Sequence, residues 1–251
     1  EWTERYASQP EILRYLNHVA DRFDLRRDIT LATRVVSAVF DESLDRWHVR
    51  TQDGTEVSAR FCIMATGCLS SANLPAFPGL ETFAGRTFHT GRWPHEPVDF
   101  TGRRVGVIGT GSSGIQAIPE IAKEALHVTV LQRTAQFAFP AGNRAITPDD
   151  MAEARASWEA VRAKMLANPG GFPSDIHTRS VLAATPEERE APYEKLWQRG
   201  CFKFFLESYN NIANIEEANR TMADFVRAKI RAIVNDPEIA DKLMPDHFVM
   251  T

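Results

Sequence analysis

Between Arg103 and Gly114 the chain reads RRVGVIGTGSSG, a short apolar run that closes on Gly109, Gly111 and Gly114. The next residues, SSGIQAIPEIAKEA, have helical spacing, and HVTVLQRT returns to an apolar run of strand length. Strand, glycine turn, helix and second strand in this order predict a βαβ unit. Such a unit needs parallel pairing and helices over the sheet, which restricts the chain to an α/β architecture. Pro119 inside the predicted helix is expected to kink it or to leave its first turns the best formed.

The same corner predicts chemistry. Gly109 permits the tight turn, Gly111 lets the backbone approach a pyrophosphate, and Gly114 lets the helix pack close to the strand. The helix amino terminus offers N–H groups and partial positive charge, with Thr110, Ser112, Ser113 and Gln116 as nearby polar side chains. The competing reading is a glycine-rich turn that holds nothing. The tip of the second strand then selects the dinucleotide. A site for NAD ends that strand in an acid that holds the ribose 2′-hydroxyl, whereas this one ends in Gln132, Arg133 and Thr134. A carboxylate about 4 Å from a 2′-phosphate would cost several kcal/mol. An arginine adds charge-assisted hydrogen bonds of roughly 1.5–3 kcal/mol each. Arg133 and Thr134 therefore point to NADP(H); the bland alternative makes Arg133 a solvated surface charge on an unselective site.

Around this unit the organisation changes twice. SQPEILRYLNHVADRFDL predicts a helix with Ser8 and Glu11 at capping-box spacing and Ile12, Leu16, Val19, Ala20 and Phe23 on one face. ATRVVSAVF, RWHVRT and EVSARFCIMATG predict a β-meander with a turn at Asp53-Gly54, leading into a buried strand over 61–65. That strand ends in Ala65, Thr66 and Gly67, which either closes a flavin domain or is only a turn. After Pro140 the pattern is helical: Thr147 and Pro148 open one helix, TPEEREAPYEKLWQRG is a second, and NIEEANRTMADFVRAKIRAIVND is a third. The third carries Ala218, Met222, Phe225, Val226, Ile230 and Ile233 on one stripe, and Asp236 caps a short fourth. FKFFLESYN, Phe202 to Asn210, reads as core of this insert rather than as a pocket wall.

Composition narrows the partners. A net charge of −4 gives no support to nucleic-acid binding or to a basic membrane patch. No run approaches the ~20 apolar residues of a membrane span, and the amino end is polar, so neither a membrane helix nor a signal peptide is expected. Cys62, Cys68 and Cys201 fit no metal spacing and suit a reducing cytoplasm. The chain starts at Glu1 without a methionine, which suggests a piece of a longer protein.

Between the two sheet regions lies FAGRTFHTGRWPHE. Its Phe83, Gly85, His89, Trp93 and Pro94 fill every fixed position of F-x-G-x-x-x-H-x-x-x-W-P, the identifying motif of the Baeyer–Villiger monooxygenases, and GTGSSG follows at the expected distance. The chain resembles that family over essentially its whole length. Related flavin-containing monooxygenases carry Tyr or Phe where this chain has Trp93-Pro94. The resemblance implies a flavoprotein of the two-dinucleotide-binding-domain type: a Rossmann-like βαβ unit and a β-meander, with a helical insert and incomplete domains. It implies residues 1–82 as the later part of an FAD domain, 83–101 as a linker, 102–140 as the NADP-binding unit and 141–251 as the helical insert. Val35, Ala65, Thr66 and Gly67 become candidates on the FAD side. The implied reaction uses NADPH, FAD and O2 to convert a small ketone to an ester or lactone through a C4a-peroxyflavin. His89 and Trp93 would serve a moving linker, or else simply brace a static loop.

The chain departs from the family in two places. The earlier glycine-rich turn that holds FAD is absent, and the family's catalytic arginine is expected beyond Thr251, so no catalytic residue is assigned in this chain. As an isolated polypeptide it is expected to retain little FAD and to oxygenate nothing. The alternatives are a flavin-containing monooxygenase that oxidises nitrogen or sulfur, and a non-catalytic NADP-binding module.

Overall fold

The computed structural model describes residues 2–175 and 178–249. They divide into two compact units: Gln9–Val98 forms one, and the residues before Gln9 together with those from Asp99 onward form the other.

The Gln9–Val98 unit opens with α1 (Gln9–Arg22) and a 3₁₀ turn at Leu25–Asp28. The predicted meander follows as β1 (Val35–Asp41), β2 (Arg46–Thr51) and β3 (Glu56–Ala59), antiparallel and in sequential order. Turn chemistry sets its register. At the first turn the Asp41 carboxylate accepts hydrogen bonds from Ser43 N at 2.8 Å and Leu44 N at 3.2 Å. At the second, Gly54 takes φ +89°, a conformation that side chains disfavour, and its N–H donates to Thr51 O at 3.1 Å.

Two expectations fail in this unit. Residues 61–65 form no strand; Phe61 and Ile63 are 78% and 89% exposed. The segment is apolar, but a buried strand also requires partners on its edges and faces, and among the described residues this segment has no ladder partner. The face of α1 expected to pack is likewise open, with Ile12, Leu16 and Phe23 all exposed.

In the second unit β4 (Arg104–Ile108), α2 (Ser112–Ala122) and β5 (His127–Leu131) form the βαβ element. The strands pair in parallel from Arg104↔His127 to Ile108↔Leu131. α2 runs through Pro119 without interruption and stops three residues short of Ala125.

The helices beyond follow their caps. α3 (Pro148–Ala167) starts at Thr147, whose hydroxyl accepts from Asp150 N while the Asp150 carboxylate accepts from Thr147 N. Arg144 grips the same carboxylate with two bonds of 2.6 Å and, with those backbone and side-chain bonds from Thr147, holds its pKa well below the usual range. α4 (Pro186–Arg199) repeats the device with Thr185 and Glu188. α5 (Lys203–Leu206), α6 (Glu216–Ile233) and α7 (Pro237–Lys242) follow, the last capped by Asp236 as expected.

The core lies among these helices. Ala218, Met222, Phe225 and Val226 of α6 meet Tyr193, Phe204, Tyr209 and Ile212. Burying each large side chain stabilises by about 1.5–3 kcal/mol, and the ring pairs Tyr193–Phe225 at 5.3 Å and Phe204–Phe225 at 5.8 Å add specific geometry. Phe204 and Tyr209 bear out the core reading of that segment, whereas the α6 stripe ends sooner than expected because Ile233 is 67% exposed. Asn219 is buried in the middle of this apolar face. Its amide donates to Ile212 O at 3.0 Å and Val249 O at 3.3 Å, and its oxygen accepts from Val249 N at 2.8 Å. All its polar atoms are thus paired, which is what permits an amide in the core.

Candidate functional site: a glycine corner between strand and helix

β4 ends at Ile108 and the chain turns at once. Gly109 adopts φ +99°, and its N–H donates to Leu131 O at 2.9 Å, which fixes the turn to the end of β5. Gly114 is the close-packing position: a Cβ there would lie 2.3 Å from Gly109 O. Gly111 differs. It caps α2 in an ordinary extended conformation, and a Cβ on it would meet no atom within 4 Å. The turn is therefore tight beneath Gly114 and open above Gly111.

That open side carries donors. Ile115 N returns to Gly111 O at 3.0 Å as the first α-helical bond. Among the described residues the N–H groups of Ser112, Ser113 and Gly114 find no acceptor, as the geometry of a helix start dictates. Ser112 and Ser113 are exposed. Gln116 turns back to donate to Ser112 O at 2.7 Å, so its amide nitrogen supports the first turn of α2. Unpaired N–H groups, the positive end of the helix and open space above Gly111 fit a dinucleotide pyrophosphate.

At the tip of β5 the structure separates three neighbours that the sequence grouped. Arg133 is exposed and has neither hydrogen bond nor ion pair among the described residues, so its guanidinium is available to an anion. Thr134 contributes its backbone carbonyl, 3.5 Å from the Thr110 hydroxyl. Gln132 is half-buried and links Thr110 to Lys242, a role that sequence reasoning missed because its partner stands 110 residues away.

The connector motif lies in the other unit, and its spacing has a local physical meaning. A Cβ on Gly85 would fall 2.5 Å from the Phe83 ring, so the Phe83 side chain lies folded over Gly85. His89 caps a 3₁₀ turn at Thr90–Arg92: its Nδ1 accepts from Gly91 N at 3.0 Å, which puts the proton of the neutral ring on Nε2. Trp93, 42% exposed, packs on Phe88 with centroids 5.5 Å apart, and Arg86 lies 4.7 Å over the same Phe88 ring. Pro94 follows half-buried. Phe83, His89 and Trp93 thus all have partners within a few residues of themselves in the loop.

The FAD-side candidates are not brought together in the same way. Val35 opens β1 beside a register irregularity between Val35 and Ser37. Ala65, Thr66 and Gly67 lie in the exposed segment beyond β3, with Gly67 at φ +68°. Among the described residues no hydrogen bond joins Val35 to these three.

Among the described residues no helix is long and apolar enough to cross a membrane. A family model described as flavin-binding monooxygenase-like matches residues 3–166. A curated Baeyer–Villiger monooxygenase of Pseudooceanicola batsensis is 42% identical over 97% of this chain and 45% of its own length. A phenazine N-monooxygenase of Lysobacter antibioticus is also 42% identical, over 98% of this chain and 45% of its own length. The chain thus spans about 45% of the length of these curated relatives. Among solved structures, oxidized steroid monooxygenase bound to NADP superposes with a TM-score of 0.94 at 51% identity, covering 100% of this chain and 48% of that one. The α/β fold with a parallel dinucleotide-binding sheet is therefore shared with structures of this type.

Proposed function

The chain belongs to the flavin-binding monooxygenase-like family, and on that premise we propose that the intact protein is a Baeyer–Villiger monooxygenase that uses NADPH, FAD and O2 to convert a ketone to an ester or lactone. The observation that carries the reading is the complete motif Phe83, Gly85, His89, Trp93 and Pro94, just ahead of an open glycine corner with unpaired donors. When bound, the nicotinamide supplies a hydride and the flavin supplies the means of activating dioxygen.

The residues of this chain bind and orient. Backbone N–H groups of Ser112 and Ser113, with their hydroxyls and the open backbone of Gly111, would hold the NADP pyrophosphate, and Thr110, Gly109 and Gln116 keep that corner in shape. Arg133 takes the 2′-phosphate, with Thr134 beside it; its free guanidinium adds charge-assisted hydrogen bonds of roughly 1.5–3 kcal/mol each. We assign 102–140 to the NADP-binding unit, 83–101 to the linker, 1–82 to the later part of the FAD domain and 141–251 to the helical insert. Val35, Ala65, Thr66 and Gly67 are assigned to the FAD side. His89 and Trp93 act in the linker as an adjustable joint, since each carries an apolar body and a polar handle. The three free cysteines suit the cytoplasm.

The test is product analysis on the intact protein. With NADPH and air, cyclic or aryl ketones should yield an ester or lactone heavier by one oxygen atom. Exclusive N- or S-oxidation, with no ketone turnover, would overturn the proposal. That second reading has its own support in the phenazine N-monooxygenase relative, so amines and sulfides belong in the same panel.

A further inference from the structure

We propose that Gln132 is a positioning residue that clamps the cofactor turn to the carboxyl end of α7. The inference rests on the NADP reading of the glycine corner. Gln132 Nε2 donates to Lys242 O at 2.8 Å, and Gln132 Oε1 accepts from the Thr110 hydroxyl at 3.2 Å. The two partners determine the amide's orientation. A backbone carbonyl can only accept, so the nitrogen must face Lys242, which leaves the oxygen for Thr110.

Thr110 is where such a clamp has most leverage. It lies between Gly109 and Gly111, the two most permissive residues in the turn, and its side chain is the only one between them. Without a restraint the turn would lose conformational entropy on binding a dinucleotide; with one, that loss falls in the folding of the protein instead. At its other end the clamp satisfies a carbonyl that the last turn of α7 cannot pair internally. The chain beyond α7 follows the chain beyond β5. His247 Nε2 is 2.9 Å from Ala135 O, the His247 and Phe137 rings meet edge-on at 5.4 Å, and Arg227 donates to Pro245 O at 2.8 Å. One side chain therefore joins the threonine between two glycines to an anchored helix end.

The test uses the intact protein with NADP as the probe. Gln132→Met keeps the shape and removes both hydrogen bonds. It should raise the NADP dissociation constant about tenfold and raise KM for NADPH while kcat at saturation holds. In the wild-type protein NADP should slow amide exchange around Leu243 and Met244, and in Gln132→Met that protection should vanish. The same contact is read from its other side by Thr110→Val, which should match Gln132→Met, and Thr110→Ser, which keeps the hydroxyl and should bind as wild type. Undiminished NADP binding by Gln132→Met, or by Thr110→Val should Gln132→Met fail to fold, would overturn the clamp. If the wild-type protein itself bound no NADP, the cofactor reading would fall first and the clamp with it.

Discussion

A methyl group added at Gly114 would sit 2.3 Å from Gly109 O, whereas one added at Gly111 would meet no atom within 4 Å. Two glycines of one turn thus make opposite demands, and alanine substitution separates them. Gly111→Ala should leave stability within about 0.5 kcal/mol, because its extended backbone accepts any residue, yet raise the NADP dissociation constant at least tenfold by filling the space assigned to phosphate. Gly114→Ala should cost about 1–3 kcal/mol by forcing helix and strand apart. Thermal melts and NADP titrations on the pair check both statements; equal loss of stability in the two would contradict the division of roles. The close packing at Gly114 was legible in the sequence, because a strand, a glycine turn and a helix constrain one another over a dozen residues. Gln132 and Asn219 were not. Their partners are remote in sequence, Lys242 for one and Val249 for the other, and no local pattern announces a polar side chain that bridges distant backbone.

Elements were legible to the extent that their determinants are local. Thr147 and Asp236 announced α3 and α7 through caps, and the apolar stripe of α6 announced its buried face. The strand expected over 61–65 failed because a strand also needs a partner, which composition does not provide. Contact between elements carries a prediction of its own. Tyr193 on α4, 2% exposed, shares a hydrogen bond of 2.8 Å with the Thr221 hydroxyl on α6, and burial pushes its pKa up to about 12. Because the folded value lies above the unfolded value near 10, the stabilisation is whole below pH 10 and is lost as pH rises from 10 to about 12. Tyr193→Phe should lose about 0.5–1.5 kcal/mol at neutral pH with the hydrogen bond, and should show a shallower alkaline decline. Denaturant titrations at pH 8 and pH 11 test this; parallel decline in both proteins would show that Tyr193 does not govern it.

Across the whole molecule the two units differ in how much apolar side chain they bury. The helical unit holds a continuous core, while Gln9–Val98 leaves the α1 face and the segment after β3 exposed, in a chain that spans about 45% of its curated relatives. Because no hydrogen bond among the described residues joins Val35 to Ala65, Thr66 and Gly67, the 251-residue chain purified alone should carry far less than stoichiometric FAD; a full flavin spectrum would contradict this. The central claim concerns which nucleotide the glycine corner selects, and the most direct test is a parallel titration of the intact protein with NADP and NAD. The account predicts NADP binding at least tenfold tighter, with the preference abolished in Arg133→Ala. Equal or tighter binding of NAD by the wild-type protein would contradict it.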